Sequence, residues 1–69
     1  MLKKRSFTLS GHRTSVALEA EFWTVIEASA RAQNKSLAAL VAAIDAGRGT
    51  RPLASALRLH ALAAKGGEA

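Results

Sequence analysis

The clearest hydrophobic pattern in the chain is a strict alternation over residues 13–18. Arg13, Ser15 and Ala17 occupy one parity, and apolar or β-branched side chains occupy the other. Successive side chains of a strand point to opposite faces, so this spacing predicts a short β-strand. One face of the strand is expected to lie on a core, and the other is expected to face solvent.

A second alternation lies upstream, where Phe7 and Leu9 are separated by hydroxyl residues. In one unbroken strand these odd-numbered apolar residues would share the polar face of Arg13. The face must therefore switch, and residues 10–12 (Ser-Gly-His) form the natural turn or bulge. Residues 1–12 are interpreted as a basic N-terminal arm or an extra strand, and both alternatives stay open.

A first helix is predicted over Glu19–Gln33, because apolar residues follow at helical spacing and carboxylates occupy its first turn. Phe22 lies on the stripe that contains Ile26 and is assigned to the core. Trp23 is about 100° away around the helix and is expected to pack on the core or at a dimer contact. Asn34 tolerates the left-handed conformation that ends a helix.

Two further helices follow. Ser36 is predicted to cap the second one, whose apolar stripe consists of Leu37, Leu40, Val41 and Ile44. Residues 13–47 thus form a strand-helix-helix core. Pro52 suits the first turn of a third helix over residues 50–63, and residues 64–69 are predicted to be a disordered tail.

The chain has few large apolar residues with which to build a core alone. Ala supplies 16 of the 34 hydrophobic residues, and no Cys is present to form a disulfide. A lone strand also exposes unpaired N–H and C=O groups. Pairing with a second copy about a two-fold axis answers both problems. The predicted fold is mainly α with one short β-strand, an intertwined homodimer with an intermolecular antiparallel two-stranded ribbon and an extra C-terminal helix.

Positive charge is concentrated at the beginning of the chain. Ten Lys and Arg against five Asp and Glu give a net charge of +5, and residues 1–18 contain no acid. This asymmetry favours a polyanionic partner. The longest apolar run, Leu37–Ile44, has eight residues, far below the roughly 18 of a membrane span. We therefore expect no membrane partner and a cytoplasmic location.

Two segments carry a resemblance to a known family. Residues 13–22 (RTSVALEAEF) and 34–40 (NKSLAAL) resemble the ribbon-helix-helix family of bacterial DNA-binding proteins, the architecture of the Arc and MetJ repressors. The strings KRSFT, GHRTS and SALRL are similar to those of a small alphaproteobacterial subfamily. The resemblance covers about residues 4–62.

The resemblance implies that a dimeric ribbon enters the major groove of double-stranded DNA and reads base edges. The readers would be Arg13, Ser15 and Ala17. Of these, Arg13 can pair bidentately with guanine, whereas Ala17 offers only a methyl group. Contacts to the DNA backbone would come from Lys3, Lys4, Arg5, His12, Lys35 and Ser36, the last of these at a helix N-terminus that suits phosphate.

These expectations describe a transcriptional regulator, acting as a repressor and associated with the nucleoid. The alternative is a protein-interaction module, such as an antitoxin, that binds a partner protein through residues 50–63. An enzyme is the weakest interpretation, because a set such as Ser55, His60 and Asp45 can be drawn from almost any chain. His12 and His60 lack metal-ligand spacing, so we expect no catalytic residue, metal or cofactor.

Overall fold

The structure, a computed structural model, describes residues 1–66 and begins with a β-hairpin. Strand β1 (Leu2–Leu9) pairs antiparallel with strand β2 (His12–Glu19), from Leu9 opposite His12 to Leu2 opposite Glu19. Residues 5–9, for which an arm and a strand were both open, therefore belong to a strand. The alternation over residues 13–18 does form a strand, as predicted.

The turn between the strands explains how the apolar parity switches. Ser10 and Gly11 both have positive φ, 51° and 80°, which is typical of a type I′ two-residue turn. The resulting register sets odd-numbered residues of β1 opposite even-numbered residues of β2. The four apolar side chains of the ribbon consequently lie on one face and are all buried: Phe7, Leu9, Val16 and Leu18.

The mainly α fold with a two-stranded antiparallel ribbon is confirmed, but the expected count of one strand per chain is wrong. Both strands of the ribbon come from the same chain. The physical reason is the Ser10-Gly11 turn, which lets residues 2–9 fold back and pair locally. The N–H and C=O groups along one edge of β2 are hydrogen-bonded to β1 of the same chain. The argument that an unpaired strand requires a second copy therefore no longer applies.

Replacing Gly11 by Ala is expected to lower the free energy of unfolding by about 1–2 kcal/mol, the cost of a left-handed conformation for a residue with a Cβ. A Cβ at Gly11 would meet nothing within 4 Å, so the cost is one of backbone conformation rather than a clash. Thermal unfolding followed by circular dichroism measures it. The matched variant Ser10→Asn creates the favoured Asn-Gly turn and should leave the chain at least as stable. Equal melting temperatures for Gly11→Ala and the unmodified chain would contradict this turn geometry.

Helix α1 (Ala20–Ala32) follows β2 directly. The predicted helix was one residue longer at each end, because Glu19 still has extended backbone angles and Gln33 caps the last turn. Asn34 has a φ of 56°, so the predicted left-handed end is confirmed. This conformation lets the Lys35 N–H donate to the Ala30 carbonyl at 2.9 Å.

Helices α2 (Leu37–Gly47) and α3 (Leu53–Gly66) complete the described chain. The predicted cap of α2 is confirmed, since Ser36 Oγ accepts a hydrogen bond from the Ala39 N–H at 3.0 Å. Residues 64–66, which the sequence assigned to a disordered tail, form the last turn of α3. The remainder of that predicted tail, residues 67–69, lies outside the described residues.

Trp23, rather than Phe22, is the aromatic residue of α1 that is buried. Its side chain is 2% exposed and its ring lies 6.0 Å from the ring of Phe7, while Phe22 is only half-buried. Phe22 does pack against the core, as predicted, but it is only partly buried, and Trp23 is the more deeply buried of the two aromatic residues. The reason is the hairpin, because β1 covers the Trp23 side of α1 and its Lys3 carbonyl accepts a hydrogen bond from Trp23 Nε1 at 2.7 Å.

All five elements contribute to one core. From α2 it takes Leu40 and Val41, and from α3 it takes Leu53, Leu57 and Ala61. Helix α3 packs on α1, α2 and β2, so it is part of the hydrophobic core of the chain. Its other side leaves Leu59 and Leu62 exposed. No helix within residues 1–66 is long and apolar enough to cross a membrane.

Candidate nucleic-acid interface

The ribbon has an outer face, directed away from the core, that carries six non-terminal side chains. Alternation along both strands places Lys4, Ser6 and Thr8 of β1 on this face with Arg13, Ser15 and Ala17 of β2. All are exposed except Ala17, which is half-buried. The three residues predicted to read bases therefore do lie on one accessible surface, and β1 adds a second row beside them.

The register sets the neighbours on the outer face. Lys4 lies opposite Ala17, Ser6 opposite Ser15, and Thr8 opposite Arg13. The two serine hydroxyls at the centre are 2.9 Å apart and share a hydrogen bond. Each hydroxyl can both donate and accept, so this pair can exchange its mutual bond for bonds to a ligand. The face thus combines two cations with a central row of hydroxyl groups.

The cations of the outer face are not neutralised by any ion pair among the described residues. The ion pairs found among residues 1–66 use other arginines, namely Arg5 with Glu27, Arg48 with Asp45, and Arg58 with Glu19. Lys4 and Arg13 take part in none of them. Since neither cation has an ion-pair partner among the described residues, the outer face presents positive charge to solvent.

Arg5 lies on the opposite face of the ribbon. Its guanidinium is 3.3 Å from a Glu27 carboxylate oxygen and lies 5.1 Å from the centre of the Trp23 ring. A cation over an indole ring is attracted by the π-electrons, so the contacts of Arg5 stabilise the packing of β1 on α1. Lys3 and His12 lie on the same face of the ribbon as Arg5, although both remain exposed.

The end of the ribbon opposite the turn, at Glu19, contacts α3. Arg58 Nε lies 3.3 Å from Glu19 Oε1, and its guanidinium is 6.0 Å from the centre of the Phe22 ring. A hydrogen bond from its own backbone N–H is the main cause that lowers the pKa of Glu19; burial opposes this, and the charge and hydrogen bond of Arg58 lower the pKa further. Glu19 is therefore ionised at neutral pH, where it can keep its contact with Arg58.

Lys35 and Ser36 stand at the N-terminus of α2, and both are exposed. Ser36 uses its hydroxyl as the helix cap. The remaining N–H groups of the first turn have no partner within the helix and favour an anion there.

His60 and Asp45, the titratable members of the catalytic set considered above, contact different residues. His60 Nε2 is 2.9 Å from Ser29 Oγ, and Asp45 binds Arg48. The hypothetical set of Ser55, His60 and Asp45 is thus not joined by these contacts. No group of three or more potential metal ligands occurs in the part of the chain that the structure describes.

The sequence interpretation did not place Ser6 and Thr8 on the outer face beside Arg13 and Ser15. Their signal was the alternation around Phe7 and Leu9, together with a two-residue turn that reverses the parity. When residues 2–19 are interpreted as a hairpin with this turn, Ser6 lies opposite Ser15 and Thr8 lies opposite Arg13.

Comparison with known proteins gives one result. A family model described as a ribbon-helix-helix domain matches residues 2–64, which includes the hairpin and nearly all of the three helices. No curated protein and no solved structure matches the chain significantly.

Proposed function

The chain belongs to the ribbon-helix-helix family of DNA-binding proteins, and on that premise we propose that it is a homodimeric, sequence-specific transcriptional repressor. It reads the major groove of double-stranded DNA with the outer face of the ribbon. The observation that carries this proposal is the placement of Arg13 and Ser15, exposed, outside any ion pair of the described chain and directed away from the core.

Arg13 is the main base reader. Its guanidinium can donate two parallel hydrogen bonds to O6 and N7 of guanine. Ser15 adds a hydroxyl that can donate or accept, and the methyl group of Ala17 can contact thymine. Lys35 and Ser36 contact phosphate at the N-terminus of α2, where the helix dipole favours an anion.

The second copy joins at the outer edge of β2. Residues that flank a two-residue turn form a hydrogen-bonded pair, so alternate residues of β2 direct their N–H and C=O groups toward β1. By this alternation Arg13, Ser15 and Ala17 direct theirs to the free edge. The side chains of these residues project perpendicular to the plane of the sheet and so leave this edge uncovered. A β2 strand related by a two-fold axis can therefore pair there in antiparallel orientation. The dimer then presents two copies of Arg13 on its central strands.

The alternative of a partner protein bound through residues 50–63 has less support, since the buried side of α3 is occupied by the core of its own chain. A role in binding DNA implies action in the cytoplasm, at the nucleoid.

The test is a measurement of solution mass, followed by selection of bound duplexes from a random pool and sequencing of the recovered DNA. We expect a dimer and an enriched motif with two related half-sites. Affinity should fall steeply with salt, with a log–log slope near −0.9 for each phosphate neutralised. A monomer that recovers no sequence preference from the pool, or an affinity independent of salt, would contradict the proposal.

A further inference from the structure

Strand β1 is a feature that a strand-helix-helix order does not require, and it places three polar side chains on the DNA-facing side. We propose that β1 is a phosphate-binding strand, in which Lys4, Ser6 and Thr8 grip the DNA backbone beside the groove while β2 enters it. This inference rests on the proposed function, and assigns a separate role to each strand of the ribbon.

The width of the dimeric sheet separates the two roles. Pairing through the free edge of β2 makes a four-stranded sheet in which the two β2 strands are central and the two β1 strands are outermost. Neighbouring strands are about 4.8 Å apart, so the outer strands stand about 14 Å apart. The major groove is about 12 Å wide and admits a two-stranded ribbon. Only the central pair fits inside, and each β1 then lies over a rim of the groove, where the phosphates are.

The side chains of β1 have the chemistry that a phosphate requires. Lys4 is a flexible point charge, and the hydroxyls of Ser6 and Thr8 can donate to phosphate oxygens. None of the three can make the bidentate contact with which Arg13 recognises a base. The residue opposite Lys4 is the small Ala17, so the Lys4 side chain has room to extend toward the DNA phosphates.

The inner face of β1 holds the strand in place for this role. Phe7 and Leu9 are buried, and the Lys3 carbonyl accepts a hydrogen bond from Trp23 Nε1. The neighbouring Arg5 binds Glu27 and lies over the Trp23 ring. Lys4 is therefore flanked on both sides by residues tied to α1, so its backbone is already fixed before DNA arrives. Prior fixation reduces the entropy lost on binding.

The experiment compares Lys4→Gln and Thr8→Val, singly and combined, with the unmodified chain on the selected duplex and on a random duplex. We expect Lys4→Gln to weaken both complexes by the same factor. The salt slope should become shallower by about 0.9 for each copy of Lys4, which corresponds to about eightfold per contact at 0.1 M salt. Thr8→Val should also weaken both complexes equally, and Lys4→Arg should restore the slope.

The control is Lys65→Gln, which makes the same change of charge at an exposed lysine in the last turn of α3. It should leave the slope unchanged. Unfolding curves of each variant establish that the hairpin is intact. An unchanged affinity and slope for Lys4→Gln would overturn the inference while leaving the proposed function standing. A change in the selected motif would overturn it too, because β1 would then read bases. Failure of the unmodified chain to bind any duplex would instead overturn the proposed function.

Discussion

Replacing Leu57 by Ala is expected to lower the free energy of unfolding by about 2–5 kcal/mol, the usual range for deleting a fully buried leucine. Leu57 is 0% exposed and belongs to the core that joins α3 to the rest of the chain. Domains are stabilised by roughly 0.05–0.15 kcal/mol per residue, which amounts to about 3–10 kcal/mol for a chain of 69 residues. The substitution should therefore remove a large part of the total stability.

Leu59 provides the matched control for this prediction. It lies on the same helix two residues away but is 44% exposed, so Leu59→Ala should cost well under half as much. Denaturant unfolding followed by circular dichroism, at one fixed protein concentration, measures both variants. Equal losses for the two leucines would contradict the packing described for α3. A large loss of stability for Leu57→Ala alone is the result expected if α3 is part of the hydrophobic core. It would distinguish this structural role from that of a helix that serves only to bind a partner protein.

Features that depend on neighbouring residues could be predicted from the sequence. The cap at Ser36 and the left-handed end at Asn34 each follow from the chemistry of one residue and the few positions around it. The stripe of α2 follows from helical spacing, and its two central members, Leu40 and Val41, are the buried ones. The exposure of Arg13 and Ser15 followed equally from alternation within a single strand.

Features that depend on how two segments meet could not be predicted in this way. Alternation assigns faces within one strand, but the pairing of β1 with β2 depends on a turn of two residues with positive φ. A turn longer or shorter by one residue would have reversed the faces. The burial of Trp23 depends in turn on β1, since only the folded hairpin covers that side of α1. Arg5, assigned to DNA from its charge, has its guanidinium at Glu27 and Trp23 for the same reason.

The second large effect concerns Arg13 and separates recognition of sequence from attraction to charge. Arg13→Ala should weaken binding to the selected duplex by about 1–3 kcal/mol for each half-site and relax the preference at one base position. Binding to random duplexes should fall much less, because a guanidinium aimed at a base edge makes little contact with phosphate. Selection and sequencing repeated with the variant, together with titration of both duplexes, measures the two effects.

Two matched variants make the Arg13 result specific. Arg13→Lys keeps the charge but loses the planar pair of donors, so it should leave the affinity for random DNA unchanged while the base preference is still lost. Arg51→Ala removes the same side chain from an exposed position in the segment between α2 and α3 and should leave the selected motif unchanged. Equal losses on selected and random duplexes for Arg13→Ala would mean that this arginine meets phosphate. In that case the outer face would bind DNA by charge alone, and base recognition would have to come from Ser15 or from residues beyond the ribbon.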